Sequence, residues 1–277
     1  MSNELATIMH AANLGVVETG IDADTAAVAG NTNQNKRISI EGRMFRKIVG
    51  GKEQSVNTDL SMNVVFVRMA HEATRMFYNK TYVKGAKLSP VCWSADTKTP
   101  APEVKTPIAS TCESCPNSVK GSGNGGIGTA CRLSWRTAVV LENDPAGDVY
   151  QLIIPAASAF GKEENGRWPF RPYVQMLANN NVSAGRVVTK MEFDIQASAP
   201  RLLFSPVGAL SPDARATIVD QGKTRAAEDA VKLTVFIKDE EEEVAAPAAE
   251  PTVVRDAAKE TAKAADVTDI VKKWTKK

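Results

Sequence analysis

The sequence predicts a β-rich α+β fold over residues 36–238, and three observations carry that prediction. Short runs of Val, Ile, Phe and Thr, bounded by Gly, Pro, Asn or Asp, recur from residue 38 to residue 237, as strands separated by turns do. Helix signals are few; the best is Ser211-Pro212-Asp213, with Ser as N-cap and Pro at the first helical position. Hydrophobic residues at 43% and charged residues at 24% are ordinary globular values, which excludes a wholly disordered chain, a collagen or a coiled-coil rod. No run of 18 apolar residues occurs, so no membrane helix is expected.

Ile38 and Ile40 alternate with polar residues, and Met44-Phe45 with Ile48-Val49 lead to Gly50-Gly51, giving two strands with turns between and after them. Residues 62–69 are β-branched and read as a buried strand. Phe77-Tyr78 and Tyr82-Val83 extend another strand or hairpin towards Gly85. Strands resume at 137–141 and 149–154; residues 171–177, after Pro169, read as a short helix; 187–195 and 202–204 read as strands again. The Ser211 cap starts a helix running to about Asp229, and 231–237 reads as a final strand.

The ends differ from this core. Residues 1–35 hold four acids and no Lys or Arg, and read as a flexible acidic arm. The N-terminus has no basic stretch leading into an apolar run, so no secretory signal is expected and the setting reads as intracellular and reducing. The region 239–277 starts with the acidic run 239–243, passes through an Ala/Pro linker, and carries Val267, Ile270, Val271 and Trp274 on one face of a short amphipathic helix. The acidic run reads as a solubilising linker or as a competitor of polyanions for a basic face.

Charge is distributed unevenly. The total is +2, but residues 36–138 alone carry +9, against −4 before them, zero over 139–238 and −3 after. A basic block between acidic ends points to a polyanion partner. The same block holds every cysteine, at 92, 112, 115 and 131. These lie in an insertion, residues 88–134, rich in Pro and Gly and poor in core-forming periodicity, so it needs an external staple. Four thiolates are the number that a closed tetrahedral zinc site takes, and the Cys112–Cys115 spacing lets one turn present two of them. A structural zinc ion is the first reading, an iron–sulfur cluster the second and reduced thiols without metal the third.

Cations and flat rings are interleaved in this block, the combination that holds a single nucleic-acid strand without reading its sequence. The candidate contacts are Arg43, Arg46, Lys47, Arg75, Tyr78, Lys80, Tyr82, Lys84, Trp93, Lys120, Arg132, Trp135 and Arg136. In a strand, the neighbours Phe77 and Tyr78 face opposite ways. The glycine cluster 121–128 lacks the Gly-Lys-Ser/Thr ending of a nucleotide-binding loop. No nucleophile elbow, His-Glu-x-x-His or deaminase motif is present, so no enzyme is expected.

With these residues in view, the chain resembles the zinc-binding single-stranded DNA-binding protein family of tailed bacteriophages, over about residues 60–210. The resemblance rests on Arg75-Met-Phe-Tyr78, Cys92-Trp-Ser-Ala-Asp96, Cys112-Glu-Ser-Cys115-Pro116, Gly121-Ser122, Cys131-Arg132, Leu152-Ile-Ile-Pro-Ala-Ala-Ser158, Tyr173 and residues 200–204. It implies Cys92, Cys112, Cys115 and Cys131 as metal ligands and a role in phage DNA replication or recombination in the host cytoplasm. Partners among phage replication proteins, engaged through the C-terminal tail, are also expected. The chain departs from the family in two places. Thr97 stands where Gly is expected after Asp96, and the acidic run is internal, with the chain ending Trp274-Thr-Lys-Lys277. The fold expected for such binding is an oligonucleotide-binding (OB-fold) barrel with a zinc-stapled loop insertion, because a curved sheet presents a long groove. The competing readings are a phage structural or host-interaction protein with a structural metal site, and a nuclease.

Overall fold

Strands β1 (Arg37–Ser39), β2 (Phe45–Val49) and β3 (Lys52–Asn57) open the structure, a computed structural model that describes residues 36–80 and 88–237. The arm 1–35, Tyr82, Lys84, the acidic run and the tail helix lie outside the described residues. Gly50 and Gly51 both adopt positive φ, 58° and 79°, the conformation that a tight two-residue hairpin turn needs and that glycine takes without a Cβ penalty. That turn creates β3, whose polar sequence Lys-Glu-Gln-Ser-Val-Asn gives no strand signal by itself.

Strands β4 (Ser61–Met69), β5 (Thr74–Phe77), β6 (Cys92–Ser94), β7 (Arg132–Leu141), β8 (Tyr150–Pro155), β9 (Val187–Phe193) and β10 (Leu202–Ala209) complete the sheet. Its order is β10-β9-β4-β7-β8-β1-β2-β3, with β5 joined to β7 and β6 to β5. Among the described residues the strand pairings are antiparallel except β1 with β8. The sheet curls into a half-barrel. Phe45 of β2 and Phe193 of β9 lie five strand steps apart along the sheet, yet their ring centroids are 4.6 Å apart. The expected β-rich α+β class is therefore observed, and its shape is barrel-like. Charged Lys52 and Glu53 on β3 guard one sheet edge. Trp168 exchanges two backbone hydrogen bonds with Phe204 on the other.

The concave face is filled by α2 (Phe170–Asn179), which sends Phe170, Tyr173 and Leu177 into the curl. Phe170 packs on Phe66 and Phe204 at 5.4 and 5.8 Å. The Tyr173 hydroxyl shares a 2.8 Å hydrogen bond with Thr189, so its buried polar atom is satisfied. Each of these side chains contributes roughly 1.5–3 kcal/mol by leaving water. A single helical turn, α1 (Ala156–Ala159), follows β8.

A second core lies on the convex face, where Val65, Ala138, Val140 and Val188 meet Ile218 of α3 (Pro212–Gln221) and Ala227 and Ala230 of α4 (Arg225–Val231). Ser211 caps α3 as expected, accepting from the Ala214 N–H at 3.2 Å. The single helix expected over 211–229 is two. Gly222 ends α3 and Thr224 caps α4 by accepting from Ala227 N–H. A Cβ on Gly222 would stand 2.8 Å from the Val67 carbonyl oxygen, so this close approach requires glycine. The strand expected at 231–237 does not form. Val231 closes α4, and residues 233–237 have no ladder partner among the described residues; alternating apolar residues supply propensity, but a strand exists only when paired. No helix among the described residues is long and apolar enough to cross a membrane.

Candidate functional site

The irregular segment between β6 and β7 is held to the sheet at both ends by cysteines. Cys92 is the first residue of β6, paired in register with Phe77 of β5, and Cys131 immediately precedes β7. Cys112 is positioned by its N–H donating to the Lys98 carbonyl, 2.8 Å, and Cys115 begins a one-turn 3-10 helix (Pro116–Ser118). All four are free thiols and all line one cavity of about 10 Å³, the space of a single small sphere. Among the described residues, no three His, Cys, Asp or Glu side chains already stand in a ligating arrangement. The thiols thus share a cavity without having converged on a point.

Burial pushes the Cys131 thiol up to about 11, reinforced by the other three sulfurs and opposed by the neighbouring Arg75 guanidinium. Cys92 is raised for the same first reason, while backbone N–H groups of Ile108 and Trp93 pull it back. Arg75 lines the same cavity, and its Nε is buried without a hydrogen-bond partner. In chemical type the donor set suits a thiophilic divalent ion: four sulfurs, hydroxyls but no carboxylate in the lining, and an unused N–H donor beside them.

The turn that leaves β6 is fixed by Asp96. Its carboxylate accepts from the Lys98 and Thr99 N–H groups at 2.8 and 3.0 Å and from the Ser94 hydroxyl at 2.9 Å. The two backbone donors come first among the causes that hold it down to about 2. Thr97, the position where glycine is expected, has φ 64°, a left-handed conformation that strains a β-branched residue.

The cationic candidates are sorted by strand parity. On β8, Leu152 and Ile154 point into the concave core, so Gln151 and Ile153 point out. Arg136 pairs with Ile153, Arg37 with Gln151, and Arg46 with Ser39, which places Arg37, Arg46 and Arg136 on the convex face. Arg132, four residues before Arg136 on β7, shares that face and is exposed. Helix α4 covers the neighbouring part of it, where Gln151 Nε2 donates to the Ala230 carbonyl at 2.7 Å. Beyond α4 no other described element covers the face, and Ile153 and Val56 are exposed among the arginines.

Arg136 is 4% exposed, has no acidic partner among the described residues, and carries a buried Nε with no hydrogen bond. Burial depresses its pKa, and Tyr78 opposes that depression. Tyr78 also donates to Met76 Sδ at 3.3 Å, so it stands beside this face, opposite to Phe77, which lines the cysteine cavity. Arg46 is paired with Glu53 at 2.6 Å in a half-exposed ion pair.

Several expected contacts lie elsewhere. Trp135 is a core residue: its ring packs on Phe160 and Phe170, and its indole N–H donates to the Ala70 carbonyl at 2.7 Å. Trp93 is buried beside the cysteines. The Trp93 ring is covered, and the half-buried Trp135 ring is engaged by the core. Arg43 donates to the Ala197 carbonyl. Lys47 pairs with Ile38 and so leaves β2 on the concave side. Arg75 belongs to the cysteine cavity. Lys80 and Lys120 are exposed at the end of β5 and within the irregular segment. Arg37, which is not among the contacts expected from the sequence, lies on the outer face because its neighbour Ile38 is buried in the concave core. No family model, curated protein or solved structure matches the chain.

Proposed function

We propose that this chain binds single-stranded DNA without sequence choice across the open convex face of β5, β7, β8, β1 and β2, in phage DNA replication or recombination inside the host cell. The observation that carries the reading is the placement of Arg37, Arg46, Arg132 and Arg136 on one sheet face, beyond the part that α4 covers among the described residues, interspersed with Ile153, Val56 and Tyr78. Guanidinium groups hold phosphates, and the apolar side chains and the tyrosine ring give bases a dry surface. The buried, unpaired Arg136 supports the same reading, because a desolvated cation is costly until an anion meets it. The curled sheet is read as an enlarged variant of the oligonucleotide-binding barrel.

Cys92, Cys112, Cys115 and Cys131 would hold a structural zinc ion, which ties the irregular segment to β6 and β7. The metal supplies folding energy and no reaction step. Because β5 and β7 carry both the cysteine cavity and part of the arginine face, the staple also steadies the binding surface.

The test is a titration of a fluorescent oligothymidine with the full, zinc-loaded chain at rising salt. Four phosphate contacts give a slope of log affinity against log salt of about −3. A duplex of equal length binds more weakly, because the face has no element shaped for a groove. Absence of binding at low salt by folded, metal-loaded protein would overturn the proposal.

A further inference from the structure

Arg75 and Arg132 sit on adjacent paired strands but serve opposite faces. Arg75 pairs with Leu133, whereas Arg132 pairs with Met76. Parity on β5 therefore sends Arg75 to the side of Phe77 and its register partner Cys92, into the cavity that all four cysteines line. There its Nε is buried and unpartnered, and no carboxylate is paired with its guanidinium among the described residues. Arg75 is half-buried, and its Nε–H, buried without an acid or a carbonyl, has to find its acceptor in what remains. The Ser94 and Thr111 hydroxyls in that cavity are taken by Asp96 and Ser114, which leaves the four sulfurs and the buried Ser118 hydroxyl as acceptors, and of these the Cys131 sulfur has the Arg75 guanidinium as its neighbour.

We infer that Arg75 is the outer partner of the four-cysteine centre, donating its Nε–H to cysteine sulfur, Cys131 foremost, and offsetting the negative charge of the loaded site. This rests on the reading of the four cysteines as a metal centre. Four thiolates around one divalent cation leave a net charge of about −2, and a cation with an N–H aimed at sulfur is what stabilises such a centre from outside its ligand shell. Arg75 is thus a positioning residue for the metal site and not a contact of the DNA face. That assigns a role to the one arginine of the basic block whose side chain turns away from that face into the cysteine cavity.

The test uses the full chain with Co²⁺ as a spectroscopic probe and Zn²⁺ by chelator competition. Arg75→Met is expected to bind both ions about 10–100-fold more weakly, with its sulfur-to-cobalt charge-transfer band shifted in energy. Arg75→Lys, which keeps the charge and loses the planar N–H fork, is expected to recover part of the affinity while the band stays shifted. Lys120→Met, which removes an exposed cation from the same segment, leaves affinity and band at wild-type values. Wild-type affinity and band position in Arg75→Met would overturn the inference. Should Arg75→Met not fold, Arg75→Lys decides: a several-fold loss with a shifted band supports the role, and wild-type values overturn it. A wild-type chain that shows no cobalt–thiolate band overturns the metal centre and this role with it. A wild-type band unchanged by either substitution overturns the role alone.

Discussion

Replacing Cys112 and Cys115 together by serine is expected to abolish the proposed metal binding and to open the segment between β6 and β7 to protease, while the sheet stays folded. Between residues 95 and 130 the buried apolar side chains are Val104, Cys112 and Cys115, too few to fix a segment of this length by packing. Its order instead rests on short-range hydrogen bonds, such as Gly121 N–H to the Gly128 carbonyl and Cys131 N–H to the Asn117 carbonyl, and on the cysteines. Structural zinc supplies about 10–16 kcal/mol in small zinc-folded peptides. The concave core around Phe66, Phe170, Tyr173 and Phe204 does not depend on that segment. Limited proteolysis read by mass spectrometry should find new cleavages confined to residues 95–130. The far-UV circular dichroism of the sheet should be retained. Persistent protection of the segment after loss of the thiols would show that the cysteines do not staple it.

Removing Arg37, Arg46 and Arg132 together by alanine substitution is expected to weaken the proposed binding of single-stranded DNA by about 100-fold at low salt and to flatten the salt slope by about 2, one counterion contact being lost with each side chain. These three are exposed or half-exposed, so their loss costs the fold little. The Arg46–Glu53 pair is accessible to solvent, and such pairs contribute about 0–1 kcal/mol. Arg136 is left in place because it is buried, and its removal would mix stability with binding. Fluorescence anisotropy on the triple variant, alongside Arg171→Ala on α2 as an off-face control, separates the two effects. A triple variant with wild-type affinity would exclude this face as the phosphate track.

Much of the sheet is legible in the sequence because β4, β7, β8 and β9 carry β-branched runs that packing on two faces demands. β3 is not legible. It is a polar edge strand imposed by the Gly50-Gly51 turn and by pairing with β2. Residues 231–237 fail in the opposite sense, having strand-like alternation and no sheet edge to join. The four cysteines announce a common site through type and clustering alone. The cations do not sort themselves, because strand parity depends on register. Arg75 and Arg132 look equivalent in a list, and only the pairing of β5 with β7 sends them to opposite faces. Trp135 lies among cations in the sequence like a stacking ring, yet it shares parity with Val139 and Thr137 and belongs to the concave core.

The most direct measurement of the central claim is arginine footprinting of the zinc-loaded chain. Phenylglyoxal modification would be mapped by mass spectrometry with and without saturating oligothymidine. Binding on the convex face shields Arg37, Arg46 and Arg132 and leaves the exposed Arg171 and Arg225 on the helices as reactive as before. Equal reactivity of Arg37, Arg46 and Arg132 with and without bound DNA would contradict it.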